Sequence, residues 1–129
     1  MKKIMKCLAL LMLAVSLTGC SRHLNSYRAI GLFRSSNSRK ATLNFYRLNG
    51  RIVFSLRYDD GQRLVCTGHL QEGNVTVYYD IEDTENQLFA LTGEQETSQV
   101  IAMSGKGSVY VIIETDGECI NGSFSFAIE

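Results

Sequence analysis

The sequence of 129 residues predicts a small antiparallel β-sandwich, jelly-roll-like, with seven or eight short strands. From Thr42 to the C-terminus, apolar and polar residues alternate with a period of two, which indicates strands that bury one face. Turn-forming sequences interrupt this alternation roughly every 8–12 residues. Since no window has a convincing helical period, we expect an all-β fold.

Glycine-containing turns divide the alternating region into the predicted strands. Asn49-Gly50 predicts a hairpin, because both residues tolerate a positive φ angle. Residues 80–86 are interpreted as an acidic loop. The other predicted turns are Asp59-Asp60-Gly61, Glu72-Gly73-Asn74, Gly105-Lys106-Gly107 and Asp116-Gly117-Glu118. The apolar positions expected to face the core include Leu43, Phe45, Ile52, Phe54, Leu56, Tyr58, Leu64, Cys66, Leu70, Val75, Val77, Tyr79, Ile81, Val109, Val111, Ile113, Phe124 and Phe126.

The first nineteen residues have the organisation of an export signal. Three lysines precede an apolar run from Cys7 to Leu17, and small residues follow it. The run is shorter than the roughly 20 residues needed to span a bilayer, but it has the length of a signal-peptide core. We therefore expect residues 1–19 to be a signal peptide and the mature chain to contain no transmembrane helix.

The end of this signal, Leu17-Thr18-Gly19-Cys20, resembles the lipobox of bacterial lipoproteins. The resemblance implies cleavage between Gly19 and Cys20, with a diacylglyceryl lipid carried on the Cys20 thiol. Two or more acyl chains give stable membrane anchoring. The implied location is the outer face of the cytoplasmic membrane, or the outer membrane if the cell has two membranes.

Charge divides the mature chain into two parts. Residues 20–57 contain eight Arg or Lys and no acid, whereas residues 58–129 contain two bases and all thirteen acids. Residues 20–40, also rich in serine, predict a flexible tether, with a short edge strand considered near 28–34, and 41–129 is the expected sandwich domain. The tether is expected to lie on anionic headgroups, or simply to keep a linker solvated. The acidic domain argues against a nucleic-acid partner.

Two cysteines remain after the signal is removed and Cys20 is lipidated. Cys66 and Cys119 are expected to form a disulfide, because free thiols oxidise outside the cytoplasm. Such a bond would close a loop of about 54 residues and contribute roughly 3–4 kcal/mol in the chain-entropy model. The alternative is a pair of free thiols.

The last third of the chain carries a second resemblance. Residues 108–115, an Asp-Gly turn and residues 122–126 are similar to the last two strands of bacterial pre-peptidase C-terminal domains. Those domains are small jelly rolls, similar to carbohydrate-binding modules and attached to secreted enzymes. The resemblance implies a jelly-roll fold over about a quarter of the mature chain.

A hydrolytic site is not expected. A catalytic triad needs a histidine base held by an acid beside a nucleophile. The mature chain has only His23, in the predicted tether, and His69, which alternates out of phase with the inward residues and should face solvent. We therefore expect the protein not to be an enzyme and to need no cofactor.

Two other kinds of site are considered. Carboxylates crowd the predicted loop at Asp80, Glu82, Asp83 and Glu85, which makes it a weak candidate for calcium. Aromatic side chains that alternate outward form a candidate binding face, although exposed Tyr is also common in strands. The residues of this face are Tyr46, Tyr78 and Tyr110.

These observations predict a membrane-anchored, non-catalytic binding module whose partner is an envelope protein or glycan. The alternative is a structural or assembly accessory of the cell envelope, and a secreted hydrolase is the least favoured class. A binding module should present Tyr78 and Tyr110 on one exposed face. An accessory should present an unprotected apolar edge or patch.

Overall fold

A computed structural model describes residues 23–129, which form one antiparallel sheet of seven strands. The signal peptide and Cys20 lie outside the described residues. The strands are β1 (Ser26–Ile30), β2 (Phe33–Ser36), β3 (Lys40–Tyr58), β4 (Arg63–Ile81), β5 (Thr84–Thr92), β6 (Gln95–Ala102) and β7 (Gly107–Ile128). Within 23–129, no helix is long and apolar enough to cross a membrane.

Three long strands run through the whole sheet in the order β3-β7-β4. β1 and β2 pair one after the other with the outer edge of β3, and β5 and β6 pair with the outer edge of β4. The first half of the sheet contains β2, the start of β3, the end of β7, the start of β4, and β6. The second half contains β1, β5 and the remaining parts of the long strands.

The two halves pack against each other, which confirms the predicted β-sandwich. Phe124 in the first half stacks between Phe45 and Phe89, at ring-centroid distances of 6.2 and 6.3 Å. Phe89 belongs to β5 in the second half, so this aromatic cluster joins the two layers. One continuous core of buried residues extends from Ala41 to Ile128, as expected for facing sheets with alternating inward side chains.

Three of the five predicted turns are wrong, because they lie inside the long strands. Gly50 (φ 135°) and Gly73 (φ 108°) occur where the pairing register of β3 and β4 shifts, and Gly117 lies within β7. An extra residue at such a bulge changes which positions face inward. In β4 the buried positions pass from even numbers, ending at Leu70, to odd numbers, starting at Val75. A hairpin at this point would produce the same change from even to odd inward positions, which is why the sequence pattern predicted a turn.

The N-terminal stretch assigned to the tether contains two strands. β1 pairs with β3 from Ser26 opposite Arg51, and β2 pairs with it from Phe33 opposite Asn44. The short edge strand considered near 28–34 overlaps both strands. The sheet therefore begins at Ser26, well before the residue 41 boundary expected from sequence.

The expected disulfide is contradicted, because Cys66 and Cys119 are both free and buried. Cys66 pairs across to Phe126 of β7, and Cys119 lies seven residues earlier on that same strand. At about 3.3 Å per residue the two cysteines are roughly 20 Å apart, far beyond the reach of a disulfide. The Cys119 thiol instead donates a hydrogen bond to the Asn74 carbonyl, at 3.2 Å.

Candidate functional site

The outer surface of the first half of the sheet carries a regular array of polar side chains, which we call the polar face. Cross-strand pairing brings residues of five strands into rows, because directly paired residues point to the same side. One row contains Ser35, Thr42, Ser125, Thr67 and Ser98, and the next contains Phe33, Asn44, Ser123, His69 and Glu96. A third row, one step further along the strands, contains Tyr46, Asn121 and Gln71.

This array follows from strand alternation. In β4, Cys66, Gly68 and Leu70 face the core, so Thr67 and His69 face out. Hydrogen bonds link neighbours within a row: the Ser123 hydroxyl bonds to the Asn44 side-chain oxygen, and the Asn121 amide bonds to Gln71. A shallow open groove of about 450 Å³ lies over the part of these two rows that is on β3, β7, β4 and β6, and is lined among others by Thr42, Ser125, Thr67, His69 and Glu96.

Two aromatic rings border the polar face at its β2–β3 side. Phe33 is 62% exposed and Tyr46 is 48% exposed. The Arg47 guanidinium lies 5.5 Å from the centre of the Tyr46 ring, within range of a cation–π contact. The polar face thus combines hydrogen-bonding groups with flat apolar surface, as ligand-binding sites commonly do.

His69 is exposed, as expected, but it has neighbours that sequence reasoning missed. Ser123 of β7 and Glu96 of β6 lie directly opposite it on its two sides. The geometry does not form a hydrolytic triad, since the Ser123 hydroxyl bonds to Asn44 and Glu96 is exposed. β7 is paired on both sides at this point, so its N–H groups belong to the sheet and cannot bind an oxyanion.

The predicted aromatic face is divided between two surfaces. Tyr78 and Tyr110 share the outer surface of the second half of the sheet, where Tyr78 lies opposite Ile112 and Tyr110 lies opposite Asp80. Both tyrosines are half-buried and do not form the exposed face that was expected. Tyr46 is on the polar face, on the other side of the sandwich.

The Tyr110 ring is covered by the N-terminal segment. The His23 imidazole stacks on it with ring centroids 3.8 Å apart and planes 8° apart. His23 Nε2 also lies 3.2 Å from Oδ2 of Asp80, which is buried. The tether assignment placed His23 away from any site, but the structure places it on the outer face of the sheet, against the central strand β7.

The acidic segment is a tight hairpin turn rather than a loop. Ile81 pairs with Thr84, and the two residues between them, Glu82 and Asp83, have φ angles of 52° and 60°. Asp80 is buried beside His23 instead of turning toward these carboxylates. No group of three or more His, Cys, Asp or Glu side chains within 23–129 is arranged to hold a metal ion.

A second polar cluster closes the turn between β3 and β4. The Arg39 guanidinium donates to the Arg57 carbonyl, to Gln62 and, at 2.8 Å, to Asp59. The hydrogen bond and charge of Arg39 hold the pKa of Asp59 below its usual value. Because Arg39 has these partners within the chain, we interpret this cluster as structural.

The buried thiols are held in their protonated form. Burial raises the pKa of Cys66 to about 12. Burial also raises the pKa of Cys119. Neither thiol is suited to act as a nucleophile, which requires the thiolate.

Comparison with known proteins shows a shared fold. No protein-family profile matches the chain, and no curated protein is significantly similar in sequence. Among solved structures, PliG of Aeromonas hydrophila, a periplasmic inhibitor of g-type lysozyme, is 12% identical with a TM-score of 0.50, over 78% of this chain and 95% of that one. The carbohydrate-binding module TmCBM61, solved with β-1,4-galactotriose, is 12% identical with a TM-score of 0.47, over 80% and 87% of the two chains.

Proposed function

We propose that the mature chain is a lipid-anchored, extracytoplasmic binding module that holds an envelope glycan on the polar face without chemical conversion. The observation that carries this proposal is the pair of polar rows across five strands, bordered by exposed Phe33 and Tyr46. The anchor is the lipid on Cys20 that the lipobox resemblance implies.

The composition of the polar face suits a ligand with many hydroxyl groups. Its hydroxyls and amides both donate and accept hydrogen bonds, as sugar hydroxyls do. Adjacent strands are about 4.8 Å apart, so the rows offer closely spaced partners along an extended chain. The exposed faces of Phe33 and Tyr46 can pack against the apolar side of a sugar ring.

The same geometry argues against catalysis. Ser123, His69 and Glu96 lie side by side, yet they are exposed to water on an open face, and the strands that carry Ser123 and His69 are paired on both sides. Acyl transfer needs preorganised donors for the developing oxyanion in a site that excludes water. These residues are therefore assigned to recognition.

Binding to purified envelope polysaccharides tests the proposal. A form comprising residues 20–129 with Cys20→Ser is sedimented with each insoluble polysaccharide. We expect Tyr46→Ala and Asn44→Ala each to weaken binding by about 1–2 kcal/mol, or five- to thirtyfold. Tyr27→Ala is the matched control, because Tyr27 is a partly exposed aromatic residue on β1, away from the polar face. Polysaccharide binding that survives both substitutions would exclude the polar face as the binding site.

An assembly accessory is the second candidate, and the exposed apolar side chains favour it. Of the six large apolar residues that are exposed within 23–129, five lie between Leu24 and Tyr46. Retention of one envelope protein by wild type, lost in Ile30→Ala and kept in Asn44→Ala, would support the accessory over the glycan-binding module. The anchor is tested separately, because a Cys20→Ala precursor should no longer carry lipid.

A further inference from the structure

We infer that the N-terminal segment fixes the orientation of the domain on its membrane, with the outer surface of the second half of the sheet toward the bilayer and the polar face away from it. This inference rests on the membrane anchor in the proposed function. It replaces the expected flexible leash with a short connection that ends on a defined surface.

Contacts hold His23 on that surface, over the central strand β7. Its ring stacks on Tyr110, and its Nε2 lies 3.2 Å from the Asp80 carboxylate. Tyr110 is on the central strand β7 and pairs on one side with Ser55 of β3 and on the other with Asp80 of β4. The chain therefore leaves the outer surface over the central strand, near the end of the sheet where β7 begins and β4 ends.

A second set of hydrogen bonds holds the next residues against β3. The Asn25 side-chain oxygen accepts hydrogen bonds from the Val53 N–H at 2.8 Å and from Arg34 Nη1 at 3.2 Å. Arg34 also donates to the Val53 carbonyl through Nη2. Asn25 and Arg34 thus satisfy both backbone groups of Val53 and tie the segment to β2 and β3 immediately before β1 begins.

The length of chain before His23 limits how the domain can turn. Only Ser21 and Arg22 lie between Cys20 and His23, so the three Cα–Cα steps span at most about 10 Å. The two layers of a sandwich are themselves about 10 Å apart, and side chains add to each side. A lipid at Cys20 therefore keeps the second-half surface nearest the bilayer and leaves the polar face open to ligands.

The charges of this surface indicate that the lipid anchor holds it near the bilayer, and that attraction to the lipid headgroups does not. Leu24 is 58% exposed next to His23, and Arg28 is exposed on β1, both suited to the headgroup region. Glu85 and Glu114, however, are exposed on the second-half surface and would be repelled by anionic lipids. We therefore expect orientation to depend on attachment at position 20.

Attachment to lipid nanodiscs through Cys20 tests the orientation without relying on lipidation in the cell. The form comprising residues 20–129 keeps the whole core, which lies between Ala41 and Ile128. With Cys66 and Cys119 buried, only Cys20 should react with maleimide lipids. A gadolinium chelate on the headgroups then enhances relaxation of nearby amides. We expect at least about fivefold larger enhancement at Thr76 and Glu85 than at Thr67 and Ser98, given the layer spacing of about 10 Å and its sixth-power distance dependence.

A variant that releases the N-terminal segment from the sheet supplies the control. His23→Ala with Asn25→Ala should reduce the difference between the two surfaces to less than about twofold, because the segment is released and its reach increases. Equal enhancement on both surfaces of the wild-type protein, or larger enhancement on the polar face, would overturn the inference. Mass spectrometry of the protein from cells tests the lipid anchor itself, so failure of the anchor and failure of the orientation are separate results.

Discussion

Gly68 of β4 lies directly against the ring of Phe89, which belongs to the opposite layer of the sandwich. A Cβ atom at position 68 would be 2.9 Å from Phe89 Cε2 and 3.0 Å from Phe124 Cδ1. The absence of a side chain at this inward position is what allows the stacked Phe89–Phe124 pair to join the layers.

We therefore expect Gly68→Ala to destabilise the fold by about 1–3 kcal/mol, because close-packed aromatic rings leave no room for an added methyl group. Urea unfolding measures the change. Gly107→Ala is the matched control, since its Cβ would meet only the end of the Tyr58 side chain, at 3.1 Å, and its effect should be smaller. Phe89→Leu should partly rescue Gly68→Ala if the overlap is the cause, and no rescue would contradict this explanation.

The buried thiol of Cys66 should make the stability of the fold depend on pH in the alkaline range. Its pKa is raised to about 12 in the folded protein, from an ordinary value of 9.0. Above pH 9 the unfolded chain loses this proton while the folded protein keeps it. The free energy of unfolding should therefore fall by at most about 1.4 kcal/mol per pH unit as pH rises from 9 toward 12. Below pH 9 this contribution is fully present.

The control for this pH dependence is Cys66→Val, which removes the titrating group and keeps an apolar side chain. Urea unfolding at about pH 8 and about pH 10 should show a smaller loss of stability in the variant than in wild type. Identical losses would mean that Cys66 ionises normally in the folded protein. In the native protein Cys66 and Cys119 should also resist thiol reagents, and the mass of a Cys20→Ser form should be the same with and without reductant.

The inward residues were predictable from sequence, but the connections between them were not. Burial of one face imposes a period of two on any strand, so Ile52, Phe54 and Leu56 were assigned correctly to the core. Asn49-Gly50 permits either a hairpin or a bulge, because local φ preferences are the same for both. Pairing of β1 with this part of β3 distinguishes them, and it involves residues more than 20 positions away.

The polar face was also beyond sequence reasoning, for a related reason. Its members appear along the chain as ordinary outward positions, such as Thr42, Thr67 and Ser123. Only the register between strands brings them into rows. Alternation put Tyr78 and Tyr110 on the same side of the sheet, as the register does, but both are half-buried and not on an exposed face. The segment that covers Tyr110 had no local signal.

The close approach of β1 to Gly50 predicts that this glycine cannot be replaced. Gly50 has a φ of 135°, and an added Cβ would lie 2.6 Å from the Tyr27 Cα atom. We expect Gly50→Ala to cost about 2 kcal/mol or more through backbone strain and displacement of β1. Hydrogen exchange should show faster exchange across Ser26–Ile30. Gly61→Ala shares a positive φ but meets open space, so it should leave β1 protected.

The turn between β4 and β5 offers a stabilising substitution. Glu82 occupies a left-handed conformation, with φ 52°, in a two-residue turn where Asn and Gly are favoured. Its side chain is exposed and opposes no core residue, so Glu82→Asn should raise the free energy of unfolding by about 0.5–1 kcal/mol. Glu85→Asn, three residues later in ordinary strand conformation, should give no gain, because Asn is disfavoured in strands. Thermal and urea unfolding of both variants test this difference, and an equal gain would indicate a charge effect in place of relief of backbone strain.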